Sequence, residues 1–337
     1  MRKPFWKKSH QSWYCELDRK QIRLGPDKKE AEREYHLLMA DREPVTSRTT
    51  VITLVDQFLW WTQKNRNEQT YEWYRLRCQS FVDFVGPKLL VVNLKPINVT
   101  HWLERKYDGR SDTYRNGLCR AVIRVFNWAQ RQGLIRHNPV AGVERPSVEA
   151  RETYLTAAQW KRLKAEVKTE SPFYDFMVFL RETGCRPQEG RIIEARHWDR
   201  AGHRIILERK MSKGKKFKRV IRLNDAAREI VKKLALKRPE GPLFVNKFGR
   251  AWRKKSIVER FSKLEKTLGF DVSAYTLRHT FCTDALLAGV DPMTVATLMG
   301  HCNASMVMRV YGHLAQHDDF LAKKLKQATQ SLSVETA

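Results

Sequence analysis

Residues 273–314, SAYTLRHTFCTDALLAGVDPMTVATLMGHCNASMVMRVYGHL, decide how the chain is read. Their spacing predicts three short helices. The first carries Leu277, Phe281 and Ala285 on one face and stops at Gly289, which can take the left-handed conformation that ends helices. Asp291 followed by Pro292 starts the second, as N-cap and first helical residue, and Gly300 closes it. Asn303 is expected to cap a third helix bearing Met306, Val307, Val310 and Tyr311. A packed core has no need of Arg278, His279, His301, Arg309 and Tyr311 at or near helix ends, where polar groups can converge on one phosphate.

Upstream, a second polar cluster follows an apolar helix expected over Phe173–Thr183. Gly184 breaks that helix, and Pro187 suits the first position of the next, which leaves Arg186 at an N-cap with an oriented side chain and Glu189 one turn on. Strand-like runs at His203–Arg209 and Phe217–Leu223 flank Lys210-Met211-Ser212-Lys213-Gly214-Lys215-Lys216, a basic hairpin whose turn Gly214 suits.

Charge narrows the partner. Lys and Arg number 64 against 37 Asp and Glu, a net charge of +27, which calls for a polyanion. The cations are spread over the whole chain and no basic amphipathic tail stands out, which favours nucleic acid over a membrane surface. The chain has no apolar run of about 18 residues and no N-terminal signal pattern, so the expected location is the cytoplasm, on the nucleoid. Six cysteines lie far apart without a C-x-x-C, as reduced thiols would. His279, Cys282, His301 and Cys302 lack zinc-finger spacing, and neither a metal nor a cofactor is expected.

The remainder divides by composition. Residues 1–48 read as a β-hairpin (Ser12–Leu17 and Gln21–Leu24) followed by a helix, Lys28–Ala40. From 49 to 139 the pattern is helical, with helices expected at Val51–Gln63, Tyr71–Phe84, Asn98–Lys106 and Ser111–Gly133 before an Asn138-Pro139 stop. Their Trp and Phe residues read as core, and Arg75, Arg77, Arg115, Arg120, Arg124 and Arg131 as a basic face. Residues 140–153 read as a linker, 154–325 as a second domain and 326–337 as a polar tail. The fold class is mainly α with small β-sheets.

Taken together, Thr183-Gly184-x-Arg186-x-x-Glu189, Tyr275-Thr276-Leu277-Arg278-His279, Met299-Gly300-His301 and Tyr311 resemble the catalytic residues of the tyrosine recombinases, the phage integrase family. The family pattern has His where this chain has Tyr275. The resemblance implies a helical, SAM-like core-binding domain at 49–139, a catalytic domain at 154–325 and a possible arm-type DNA-binding module at 1–48. It also implies site-specific cleavage and rejoining of double-stranded DNA through a 3′-phosphotyrosyl link, without metal or ATP. By the same resemblance Tyr311 is the nucleophile, Arg186 and Arg278 grip the phosphate, and His301 hydrogen-bonds it. Lys213 is the best match to the family's acid, with Lys210, Lys215 and Lys216 close by. Tyr275 shares a helix face with Arg278, although a phenol with a pKa of about 10 is a poorer base than imidazole. The implied assembly is a homo-tetramer on DNA that trades C-terminal segments and works with DNA-bending accessory proteins. A cleavage-deficient regulator and a type IB-like relaxing enzyme are the alternatives.

Overall fold

The structure is a computed structural model that describes residues 4–17, 20–40, 48–148, 153–211, 218–301 and 303–315, with 320–322, 325–326 and 329. It forms two compact units, Met1–Ala150 and Arg151–Ala337.

In the first unit β1 (Phe5–Lys7), β2 (Ser12–Leu17) and β3 (Lys20–Gly25) make an antiparallel meander with Trp6 opposite Trp13 and Cys15 opposite Ile22. The sequence suggested only the last two strands, because three residues are too few to show alternation. α1 (Lys28–Ala40) covers one sheet face, burying Cys15, Leu24, Ala31 and Tyr35. Four longer helices follow: α2 (Val51–Asn65), α3 (Glu68–Val85), α4 (Pro96–Tyr107) and α5 (Asp112–Arg131). Thr50, Asn67 and Ser111 cap α2, α3 and α5 by accepting from the amide three residues on, which satisfies a donor that the first helical turn leaves open. Phe58, Phe81, Trp102 and Phe126 are fully buried, and Phe81 meets Trp102 edge to face at 5.2 Å. These rings are buried in one core and are not available for base stacking.

In the second unit α6 (Ala157–Glu166), α7 (Pro172–Thr183) and the short α8 (Pro187–Arg191) precede an antiparallel sheet, β4 (Trp198–Asp199), β5 (Arg204–Leu207) and β6 (Arg219–Arg222). Residues 212–217, and with them Lys213, lie outside the described residues. Then come α9 (Asp225–Lys237), α10 (Lys254–Leu268), α11 (Ala274–Leu287), α12 (Pro292–Met299) and α13 (Ser305–Leu314). Phe173, Phe176, Phe179, Phe244 and Leu277 fill the core beneath the sheet. Asp291 and Gly300 cap α12 as expected. Ala304 occupies the N-cap of α13; Asn303 acts from one position further out, because its Oδ1 accepts both the Ser305 hydroxyl (2.6 Å) and amide (3.3 Å). Beyond α13, residues 320–322, 325–326 and 329 are helical.

One contact in the first unit makes stability depend on pH. Tyr35 on α1 donates to Oδ2 of Asp56 on α2 at 3.3 Å, while Oδ1 has no partner among the described residues. Burial pushes the Asp56 carboxyl up to about 7, although the Tyr35 bond pulls the other way. An unfolded Asp ionises at about pH 4, so this group's stabilisation is complete below that value and is lost as pH rises through about 7. Unfolding by urea should show the protein weaker at about pH 8 than at about pH 5, by on the order of 2–4 kcal/mol from this site. Asp56→Asn should remove most of that difference, and an equal pH dependence in the variant would refute the assignment.

Candidate active site

Two chain breaks set up the cluster. α7 ends at Gly184 with φ +57, and a Cβ there would run into the Phe281 ring of α11, so only glycine lets the two helices approach this closely. Two residues later Arg186 caps α8. Its amide donates to Glu189 Oε2 at 2.9 Å and its guanidinium Nη1 to Oε1 at 2.8 Å, so one carboxylate holds both ends of the residue. The remaining terminal nitrogen, Nη2, donates to the Gly300 carbonyl at 2.9 Å.

Arg278, on α11, is 4% exposed. It donates through Nη1 to the Gly184 carbonyl and through Nη2 to the Met299 carbonyl (2.9 Å) and to His301 Nε2 (2.7 Å). A guanidinium can only donate, so Nε2 is the acceptor and the imidazole proton is on Nδ1. That buried Nδ1 has no partner among the described residues.

A third guanidinium completes the group, one that the sequence reading did not select. Arg219 begins β6, is 6% exposed, and donates to Glu189 Oε2 (3.3 Å), Val220 O and Leu298 O (2.9 Å). The available signal was its place in the alternation Arg219-Val220-Ile221-Arg222, where it shares the inward face with Ile221. A buried cation in that register requires a buried anion, and Glu189 is that anion.

The charges act on one another. Burial works to raise the Glu189 carboxyl, but Arg219, followed by the Arg186 amide and guanidinium, outweighs it and holds the group below its ordinary value. Burial pushes Arg278 down to about 10, with Arg186 adding to the effect, so it stays cationic near neutrality. Burial, then Arg278, Arg186 and Arg219, pushes His301 down to about 4, which leaves a neutral imidazole. Three cationic arginines against one glutamate, with the histidine neutral, leave a net charge of +2 in one place. Burial also raises the Cys185 thiol to about 11, so it is no nucleophile.

Arg186, Arg278 and His301 are therefore joined in one network. Tyr275 lies outside it: it is 57% exposed on the first turn of α11 and makes no side-chain hydrogen bond among the described residues. Tyr311, on α13, packs its ring edge-on against Phe320 at 5.5 Å beside the small core of Cys282, Leu286, Val295 and Met299. Its hydroxyl makes no hydrogen bond among the described residues, so turning the ring toward a substrate disrupts only apolar contacts.

Arg219→Gln leaves Glu189 with one guanidinium and Leu298 O without a donor, a loss of about 3 kcal/mol for a broken buried pair. Gly300→Ala brings a Cβ within 2.6 Å of Arg219 Nε and Cζ, at a residue with φ +70. Each single change should lower the urea midpoint. The double variant should be less damaged than the sum, because the shorter glutamine side chain relieves the clash. Strict additivity would show that the two residues are not in contact.

Residues 153–317 match the family model described as the phage integrase family. A tyrosine recombinase of Thermosipho africanus is 25% identical over 272 residues, covering 77% of this chain and 94% of that protein. The Tn1549 transposon integrase, solved with transposon right end DNA, superposes with TM-score 0.67 at 21% identity over 83% of this chain and 99% of that one. A lambda integrase tetramer bound to a Holliday junction gives TM-score 0.65 at 16% identity over 91% and 93% of the two chains. Residues 153–317 thus form a domain of the phage integrase family, the tyrosine recombinases.

Proposed function

We propose that this protein is a site-specific DNA recombinase, an integrase that cuts and rejoins double-stranded DNA through a 3′-phosphotyrosyl intermediate on Tyr311. The observation that carries this reading is the fixed pair Arg186 and Arg278 beside a neutral His301. A guanidinium has five N–H donors. Arg186 uses its two terminal nitrogens and Arg278 makes three bonds, so each keeps donors for the nonbridging oxygens of a phosphodiester. Such donors stabilise the charge that grows on a pentacoordinate phosphorus, the work that metal ions perform in other enzymes. The unused Nδ1–H of His301 is a further donor for the same oxygens.

Tyr311 attacks phosphorus and displaces the 5′ oxygen, and the bond energy is conserved in the phosphotyrosine, so rejoining needs no ATP. Lys213 supplies the proton to the leaving oxygen. Tyr275 stands where the family pattern has a histidine, on the helix face of Arg278, and contacts the same phosphate as a hydrogen-bond donor. Residues 49–139 act as the core-binding clamp, 154–325 as the catalytic domain, and 1–48 as an arm-type module. The working form is a tetramer on DNA, as in the lambda integrase neighbour, and its site of action is the cytoplasmic nucleoid. No helix among the described residues is long and apolar enough to cross a membrane.

A duplex from the region flanking the gene, nicked beside the cleavage point to trap the covalent adduct, tests this reading. The wild type should accumulate adduct, and its absence would refute the proposal. Arg186→Ala and Arg278→Ala should lose adduct by about a hundredfold or more while DNA affinity changes little, because they act on transition-state charge. Tyr311→Phe should be inactive on every substrate. Lys213→Ala should fail on ordinary DNA and recover when sulfur replaces the bridging 5′ oxygen, since a thiolate leaves without a proton. Rescue at Lys210, Lys215 or Lys216 instead would move the acid to that residue.

A further inference from the structure

We propose that the loop 246–250 is a DNA-docking finger in which Phe248 wedges against the bases in a groove while Lys247, Arg250 and Arg253 take phosphates beside it. The proposal rests on the recombinase reading for its partner, duplex DNA.

The loop is rigid. Val245 and Ala251 close it as a bridge, and within it the Asn246 amide donates to Arg250 O (2.8 Å) and the Gly249 amide to Asn246 O (2.9 Å). Asn246 Oδ1 fills the centre, accepting from the amides of Phe248 (2.9 Å) and Arg250 (3.1 Å). Gly249 makes the turn with φ +72. At the tip of this ordered backbone the Phe248 side chain is 72% exposed, with Lys247 Nζ 4.9 Å from the ring centroid. A phenyl ring held in water on a rigid loop has paid its ordering cost in advance, which favours a binding role over a packing one.

The surroundings indicate what covers it. From residue 241 to residue 258 the chain has five cations, Lys247, Arg250, Arg253, Lys254 and Lys255, and no acid, and all five are exposed. A second copy of a chain with net charge +27 is a poor match for such a patch, whereas a polyphosphate with apolar bases between its strands suits both components. The base of the loop is fixed to the active-site segment. Trp252 is buried, and its carbonyl accepts from Arg191 Nε at the end of α8, the helix that Arg186 caps. Leu243 N donates to Ile193 O at 2.7 Å, and Pro242 bridges Glu194. The finger and Arg186 thus share one scaffold, and the duplex gripped at Arg186 is the one the finger meets.

The test uses the full chain with a benzophenone amino acid in place of Phe248, irradiated on the nicked duplex described above. The expected product is a crosslink to one DNA strand at a defined step. Phe248→Ala should weaken binding about tenfold and lower the fluorescence of 2-aminopurine placed at that step, while Phe248→Leu keeps most of both. Lys247→Ala and Arg250→Ala should each reduce the slope of log K against log salt by about one. A crosslink to a second protein chain would overturn the proposal, as would wild-type affinity in Phe248→Ala. Covalent adduct is measured in parallel. Adduct formation with unaffected finger variants refutes the finger alone, whereas a DNA crosslink without adduct refutes the recombinase reading alone.

Discussion

Three successive carbonyls at the C-terminal end of α12, those of Leu298, Met299 and Gly300, each accept from a different arginine: Arg219, Arg278 and Arg186. The last carbonyls of any helix lack partners inside it and carry the negative end of its dipole, so cations are favoured there. What is particular is the origin of the donors. They come from β6, from α11 and from the N-cap of α8, three elements far apart in sequence. The helix end therefore aligns three guanidiniums at once, and His301, immediately after Gly300, is carried into contact with Arg278 by the same turn. Gly300 is required twice over, by its left-handed backbone and by the Arg219 side chain packed against it.

The arrangement has an electrostatic cost that bears on function. Three guanidiniums share one carboxylate, and two of them, Arg219 and Arg278, are almost fully buried. Glu189 offsets only one of the three cations; burial first, and the neighbouring guanidiniums after it, depress His301 and Arg278. The residual positive charge favours an anion entering from outside, as the phosphodiester of the proposed substrate would. The site is thus organised before substrate arrives: its dipoles already point inward, so little reorganisation is left for the reaction itself.

Much of this was legible in the sequence because it depends on neighbours. Asp291-Pro292 and Gly300 bound α12, Thr156 caps α6, and Gly184 stops α7, since each device acts within one helical turn. The apolar stripe Leu54, Val55, Phe58 and Leu59 is the buried face of α2 for the same reason. Arg219 was not legible, because its meaning comes from Glu189, 30 residues back, and Leu298, 79 residues ahead. The alternation puts it on the face opposite Arg222, which is exposed at the other end of the same strand, but does not say what a buried cation would pair with. The Tyr35–Asp56 bond is a second case: an Asp within an apolar helix reads as a surface position until a partner from α1 places it in the core.

The cations of this chain fall into two populations with different physics. Those on the finger, with Arg120 and Arg131 on α5, are exposed, interact through water, and lose much of their effect as salt rises. Arg219 and Arg278 are buried and fixed by short hydrogen bonds, so salt barely screens them and a lysine could not replace their geometry. Affinity for DNA can then be tuned over the surface by adding or losing single charges, each a small and separable increment. The phosphate grip cannot be tuned in that way, because each of its arginines also holds a helix end. Removing one costs the chemistry while leaving the surface cations in place, and so the net charge of +27 and the reactivity of the site are set by residues that scarcely overlap.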